Sequence, residues 1–330
     1  MIILFLQFMS NDLAMHHQSH NLKICVIILL SEGPQMKKLL LIINDITGNG
    51  RNSINTFKMV REFARAGYET TVFPIVENVS LKLSDYFENS SYDKVVCIGG
   101  DGTLNRTINE VMKLDNKPLI GYIPAGTTND FSKNLNLTNN IDRAIEVINR
   151  ENTISLDLGK FNDRYFNYVA SFGAFSDISY TTDQNFKNVF GYAAYFISGI
   201  TSIQENLSLK CHMKITTDTE TFEGDYFFGA ICNSRSVAGV KLEGITLDSL
   251  HDGQFELFLI KCPENVQELG EIALAVLNSN YESPYIEYRK VKKALIVPSE
   301  NTEWTLDGEY GGKPESIDFS IIHNAIGLIV

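Results

Sequence analysis

The sequence predicts a chain in two halves. One is a doubly wound α/β half over residues 36–156, with residues 318–330 returning to it. The other is an antiparallel β-sandwich over 157–317. Three observations predict this. Short runs such as Leu39–Ile43, Lys94–Ile98 and Leu119–Ile123 are almost wholly apolar, as strands covered on both faces are. Each leads through a polar, Gly-containing loop into apolar residues at helical spacing. Near Ser155 the pattern changes to many short β-branched and aromatic runs joined by polar turns, a different fold class.

The elements follow in order. Leu39–Ile43 is the first strand, and the loop Asn44-Asp45-Ile46-Thr47-Gly48-Asn49-Gly50 follows it. Ile54, Phe57, Val60 and Ala64 give helical spacing, and Gly67 is placed to cap the helix. Thr70–Pro74 is a second strand and Leu81–Phe87 a short helix. Lys94–Ile98 is the third strand, followed by a helix with Leu104, Ile108, Val111 and Met112 on one face. Leu119–Ile123 is the fourth, and Ile141, Ala144, Ile145 and Ile148 mark another helix. Beyond Ser155, strands are expected at 154–161, 164–171, 207–216, 220–232, 255–261, 284–297 and 317–323, with helices at 184–204 and 265–278. Repeated βα units bind their ligands at the carboxyl ends of the strands, so the loops after strands one, three and four can converge on one site.

Residues 1–35 differ from the rest: two short apolar runs flank His16, His17 and His20. Met36-Lys37-Lys38 followed by Leu39–Ile43 reads as a natural start entering a strand, and Glu32-Gly33 is encodable by a purine-rich ribosome-binding sequence. Residues 1–35 are therefore expected to be an extension from a misassigned start codon. The net charge of −12 argues against general nucleic-acid binding and against whole-molecule attraction to anionic lipid. Five scattered cysteines without a C-x-x-C pair suit a reduced compartment, and no apolar run reaches the 18–20 residues or so of a membrane-spanning helix.

The loop Gly99-Gly100-Asp101-Gly102-Thr103-Leu104-Asn105 joins a strand to a helix, a layout that offers backbone N–H groups and a helix N-terminus to an anion. A carboxylate beside a phosphate needs a cation between them. Asp101 is therefore read as a solvent-facing loop carboxylate acting through Mg²⁺ on a nucleotide phosphate. The other reading is a tight turn that uses Gly and Asp for geometry alone. A second loop, Pro124-Ala125-Gly126-Thr127-Thr128-Asn129-Asp130-Phe131, follows the fourth strand, and Leu306-Asp307-Gly308-Glu309-Tyr310-Gly311-Gly312 lies near the end of the chain. Asp307 and Glu309 are two apart, so an extended segment would point them to the same side. The segment also reads as a hairpin turn.

Together these three segments resemble the soluble bacterial diacylglycerol kinase family, related to sphingosine kinases and more distantly to NAD kinases and phosphofructokinases. The resemblance covers nearly everything from Met36 onward. The first loop departs from the family's Asn-Pro-x-Ser-Gly, with Asp45 for Pro and Thr47 for Ser. Arg106 stands where the family often has Glu, and Ile75 where it often has Thr. The resemblance implies an ATP-binding domain of the phosphofructokinase/NAD-kinase type, with a β-sandwich for the lipid. It implies that ATP is held by Asn44, Thr47, Gly48, Gly99, Gly100, Gly102, Thr103, Leu104, Asn105, Gly126, Thr127, Asn129 and Asp130. Glu309 becomes the base, with Asp307 supporting it or holding metal and Asp101 serving Mg²⁺. Ser249, Asp252 and Gln254 map to a structural Mg²⁺ turn, which reads equally as a plain β-turn. The expected activity is ATP-dependent phosphorylation of diacylglycerol or a similar lipid alcohol by a cytoplasmic protein at the inner leaflet, as a possible homodimer. A soluble NAD-kinase-like enzyme and an inactive nucleotide-binding regulator are the alternatives. Lys241 and Arg289-Lys290-Val291-Lys292-Lys293 could meet anionic headgroups or form a solvated strand face, and Trp304 is expected in the core.

Overall fold

In the computed structural model, residues 36–44, 55–76, 81–127, 129–173, 210–233, 236–237, 240–241, 248–278 and 280–330 are described. The expected helix at 184–204, Thr47, Gly48 and the whole of 1–35 lie outside them. The α/β half is built on β1 (Lys37–Asn44), β2 (Tyr68–Ile75), β3 (Lys94–Gly99) and β4 (Leu119–Pro124). They are parallel, in the order β2-β1-β3-β4. Alternation along each strand divides one apolar run between two layers. Leu40, Ile42, Val95 and Cys97 face one core with Leu104, Ile108 and Val111 of α3 (Asp101–Val111) and Leu83 of α2 (Leu83–Asn89). Leu39, Leu41, Val96 and Ile98 face the other core. There they meet Met59 and Phe63 of α1 (Thr56–Arg65) and Ala144, Ile145 and Ile148 of α5 (Ile141–Arg150). Asn55 and Asn140 cap α1 and α5, accepting from Lys58 N and Arg143 N.

The second half is antiparallel. β5 (Thr153–Phe161), β6 (Arg164–Phe166), β7 (Val169–Gly173), β8 (Cys211–Thr217), β9 (Thr221–Cys232), β12 (Phe255–Lys261), β13 (Ile286–Val291), β14 (Lys293–Pro298), β15 (Trp304–Leu306), β16 (Glu309–Gly312) and β17 (Ile317–Ile329) make up its main strands. A small hairpin pairs β10 (Ser236–Val237) with β11 (Val240–Lys241). The sandwich interior holds Phe166, Phe172, Met213, Tyr226, Phe255, Trp304 and Phe319, all essentially inaccessible. Trp304 packs between Phe172 and Phe161, with ring centroids 4.7 and 5.2 Å away, so it is a core residue as its composition suggested. Helix α6 (Val266–Leu277) covers the outer face, where Leu269, Ile272 and Val276 meet Phe258 and Ile260.

β17 connects the halves. Its first residues pair with β14, Phe319–Ile322 and Ile326–Ile329 with β5, and Leu328 pairs parallel with Ile120 of β4. A register shift between Ile322 and Ile326 releases His323 and Asn324 from the ladder. The buried Asp157 carboxylate accepts from Asn324 N at 2.7 Å and from His323 Nδ1 at 2.9 Å there. Two strands expected as single runs are divided. Residues 164–171 break at Asn167–Tyr168, because those N–H groups turn to a carboxylate instead of a neighbouring strand. Residues 284–297 break at Lys292, where the chain passes from β13 to β14.

Candidate active site

The two glycine loops leave the sheet side by side. Gly99 and Pro124 are register partners, and Ala125 N donates to Gly99 O at 2.8 Å. A Cβ on Gly126 would overlap the Cα of Gly100, so the close approach itself demands glycine. Asn129, at φ 49°, closes the second loop on itself. Its Oδ1 accepts from Gly126 N at 3.0 Å and its Nδ2 donates to Gly126 O at 2.6 Å. The first loop enters through Asn44, whose Nδ2 donates to Thr103 Oγ1 at 2.9 Å.

Asp101 differs from expectation. It is half-buried, and its oxygens accept from Asp130 N at 3.0 Å and Phe131 N at 3.4 Å. These N–H groups open α4 (Asp130–Asn134), where a helix has no internal acceptors. The carboxylate of one loop therefore holds the other loop in place. Burial pushes the Asp101 carboxyl up to about 6, the charges of Asp130 and Asp307 adding to this and the two N–H bonds opposing it.

The Asp307–Glu309 segment is not extended. Asp307 (φ 51°) and Gly308 (φ 84°) both take left-handed backbone and form the two-residue turn between β15 and β16. Positive φ at both central positions matches the right-handed strand twist, and Asp-Gly is the dipeptide for it. The i, i+2 rule therefore fails, and the two carboxylates part: Asp307 is buried and Glu309 is exposed. Asp307 Oδ2 accepts from Asn105 Nδ2 at 2.6 Å and Asn167 N at 2.8 Å. Its Oδ1 accepts from Tyr168 N and Val169 N, both at 3.0 Å. Burial raises this carboxyl to about 6 against the pull of those four donors. With both oxygens so engaged, Asp307 pins the hairpin to α3 and to the bend before β7.

The hairpin turns Glu309 toward the first turn of α3. A Cβ on Gly102 would overlap Glu309 Oε1, so the carboxylate lies directly on that glycine. A helix N-terminus favours such an anion. Arg164 Nη1 donates to Tyr310 O at 2.8 Å and steadies β16 from the other side.

The structure thus gathers Asp101, Gly102, Asn105, Gly126, Asn129, Asp130, Asp307 and Glu309 around one end of α3. The acidic turn Ser249–Gln254 is tied elsewhere, through Gly253 N to Asp157 Oδ2 at 2.7 Å. Asp252 Oδ1 takes the N–H of Gln254 at 2.9 Å, and its Oδ2 faces Lys290 Nζ at 3.8 Å. Among the described residues no three His, Cys, Asp or Glu side chains collect into a metal-binding group. In the basic cluster, Arg289 is paired with Glu220 and Lys290 with Asp252, as in a solvated strand face. Sequence reasoning missed Asn109, one turn beyond Asn105. Its Nδ2 donates to Asn105 Oδ1 at 3.0 Å, and the Asn105/Asn109 spacing of four was the available signal. It also missed the 167–169 backbone, which carries no side-chain signal.

Residues 38–161 match the family model described as "Diacylglycerol kinase catalytic domain". A diacylglycerol kinase of Staphylococcus haemolyticus (strain JCSC1435) is 34% identical over 252 residues, spanning 76% of this chain and 75% of that protein. A diacylglycerol kinase of Staphylococcus aureus (strain MRSA252) is 31% identical over 281 residues, spanning 84% and 87%. In fold, a crystal structure described as a diacylglycerol kinase from Bacillus anthracis str. Sterne aligns with a TM-score of 0.67 at 23% identity, covering 89% of this chain and 96% of that one. On the sequence matches, this chain belongs to the diacylglycerol kinase family.

Proposed function

We propose that the chain transfers the γ-phosphate of ATP to the hydroxyl of diacylglycerol or a similar membrane lipid alcohol. The observation that carries this reading is the placement of Glu309 against Gly102, where the two glycine loops converge. Half-buried backbone at Gly100, Gly102 and Gly126, together with the α3 N-terminus, fits the phosphates of a nucleotide. Asn44 would hold Thr103 toward that space, and Asn129 with Asp101 would hold the second loop around it. Magnesium bound with the nucleotide would neutralise phosphate charge, and Asp101 would be the loop carboxylate that serves it. The Ser249, Asp252 and Gln254 set fits a plain turn better than a metal site. It offers one carboxylate, which already faces an ammonium.

In this reading Glu309 accepts the proton of the lipid hydroxyl as its oxygen attacks the γ-phosphorus and ADP leaves. Asp307 does not exchange protons with substrate. It fixes the turn that aims Glu309. Among the described residues no helix is long and apolar enough to cross a membrane. In this reading the protein meets its lipid peripherally, at the cytoplasmic leaflet. The test is phosphorylation with labelled ATP in the presence of diacylglycerol vesicles. Label in the lipid phase supports the reading. Label confined to a water-soluble product, or no transfer with intact ATP binding, contradicts it.

A further inference from the structure

We infer that Asn109 is a positioning residue for the candidate catalytic hairpin: it fixes which way the Asn105 amide faces and so keeps a donor on Asp307. This rests on the reading of the Asp307–Glu309 hairpin given above. The polarity can be followed from a group that cannot reverse. The backbone N–H of Tyr165 donates to Asn109 Oδ1 at 2.9 Å. A peptide nitrogen only donates, so the oxygen of Asn109 must lie there and its NH₂ must point the other way. That NH₂ lies 2.9 Å from Asn105 O, 3.0 Å from Asn105 Oδ1 and 2.9 Å from Tyr165 O. Asn105 Oδ1 is thereby engaged as an acceptor, which leaves the Asn105 NH₂ to face Tyr165 O at 3.1 Å and Asp307 Oδ2 at 2.6 Å.

Reversing the Asn105 amide would set its oxygen against a carboxylate and a carbonyl, and its NH₂ against the NH₂ of Asn109. Asn105 is buried, so neither mismatch could be relieved by solvent. One fixed donor on β6, together with the obligate acceptors Tyr165 O and Asp307 Oδ2, thus sets the polarity of two amides on α3. The last of them supplies the side-chain donor to Asp307, beside the peptide N–H groups of Asn167, Tyr168 and Val169. Asn109 is half-buried and reaches the hairpin through Asn105, while it also bonds the N–H and C=O of Tyr165 on β6.

The test uses the full chain in the vesicle assay. Asn109→Asp is nearly isosteric and keeps the Tyr165 N–H bond, but it replaces the donor with an oxygen facing Asn105 Oδ1. Its kcat is expected to fall about 10- to 100-fold, the loss appropriate to one misdirected hydrogen bond to a charged group, while KM for ATP changes by less than about twofold. Asn109→Ala removes the donor without adding charge. It is expected to behave likewise and serves if the Asp variant does not accumulate folded. Combining either variant with Asp307→Asn is expected to cost little beyond Asp307→Asn alone, because residues acting through one another do not add. Wild-type kcat in both Asn109 variants, or losses that multiply with Asp307→Asn, would overturn the inference while leaving the kinase reading intact. Wild-type kcat in Asp307→Asn would overturn the inference together with the role of Asp307 in aiming Glu309.

Discussion

Asn105 and Asp307 are 202 positions apart in the sequence, and their side chains meet at 2.6 Å in the interior. The bond links the first turns of α3 to the β15–β16 turn, so the α/β half and the last strands of the sandwich share one hydrogen-bonded group. A hydrogen bond to a charged group contributes roughly 1.5–3 kcal/mol. Asn105→Ala is expected to lower unfolding stability by about that amount and to reduce kcat. Urea denaturation followed by circular dichroism measures the first effect.

The pH dependence follows from the two raised carboxyls. Asp101 and Asp307 are held near 6 in the folded protein, and unfolding returns them to ordinary carboxylate values near 4. Between about pH 4 and 6 the native state therefore binds more protons than the unfolded one. From these two groups, stability rises as pH falls through that window and is lowest above it. Activity should run the opposite way, because a protonated Asp307 no longer accepts from all four donors. The kcat/KM profile is expected to fall below about pH 6. Asp307→Asn should shift the remaining limb to lower pH, since the Asp307 charge is one of the causes raising Asp101.

Asp101→Ala should affect both loops. It removes the acceptor for Asp130 N and Phe131 N, a capping loss of about 0.5–2 kcal/mol. A lower Tm and weaker ATP binding by calorimetry are expected together. ATP affinity that weakens with no change in Tm would mean the carboxylate serves the ligand alone.

At the opposite end of the sheet, Lys94 is fully buried. Its Nζ is bonded to Glu151 Oε1 at 2.9 Å and Ile148 O at 3.0 Å, and it lies 4.4 Å from the centroid of the Tyr68 ring. Burial pulls the Lys94 pKa down, while hydrogen bonds from Tyr68 and Lys94 hold Glu151 at about 2. Glu151→Ala strands the ammonium and is expected to cost roughly 3–5 kcal/mol. Lys94→Met removes the buried charge itself and should cost less. Neither should change kcat, because Lys94 begins β3 and the site lies beyond its other end at Gly99.

Much of this was legible in the sequence, where local pattern and local structure coincide. The apolar runs of β1, β3 and β4, the face of α3 and the two glycine loops are all set by neighbours within a few residues. The Asp307–Glu309 geometry was not legible, because alternation assumes extended backbone and Asp-Gly at positive φ breaks it. The inward role of Asp101 was hidden because its partners are N–H groups about 30 residues away, which no side-chain pattern announces. Asn109 stood at a readable spacing, but its meaning depends on Tyr165, a backbone group contributed by another strand.

The measurement closest to the central claim is the Glu309→Gln variant, which keeps size and hydrogen bonding and removes the proton acceptor. General-base catalysis supplies about 10²–10⁴-fold, or roughly 3–5 kcal/mol of barrier. The kcat for lipid phosphorylation should fall by that range while the calorimetric affinity for ATP stays near the wild-type value. Glu303→Gln, outside the hairpin and paired with Lys313 at 3.2 Å, should be nearly silent. If Glu309→Gln instead loses ATP binding in proportion to kcat, Glu309 serves the nucleotide or the fold, and the proton acceptor lies elsewhere.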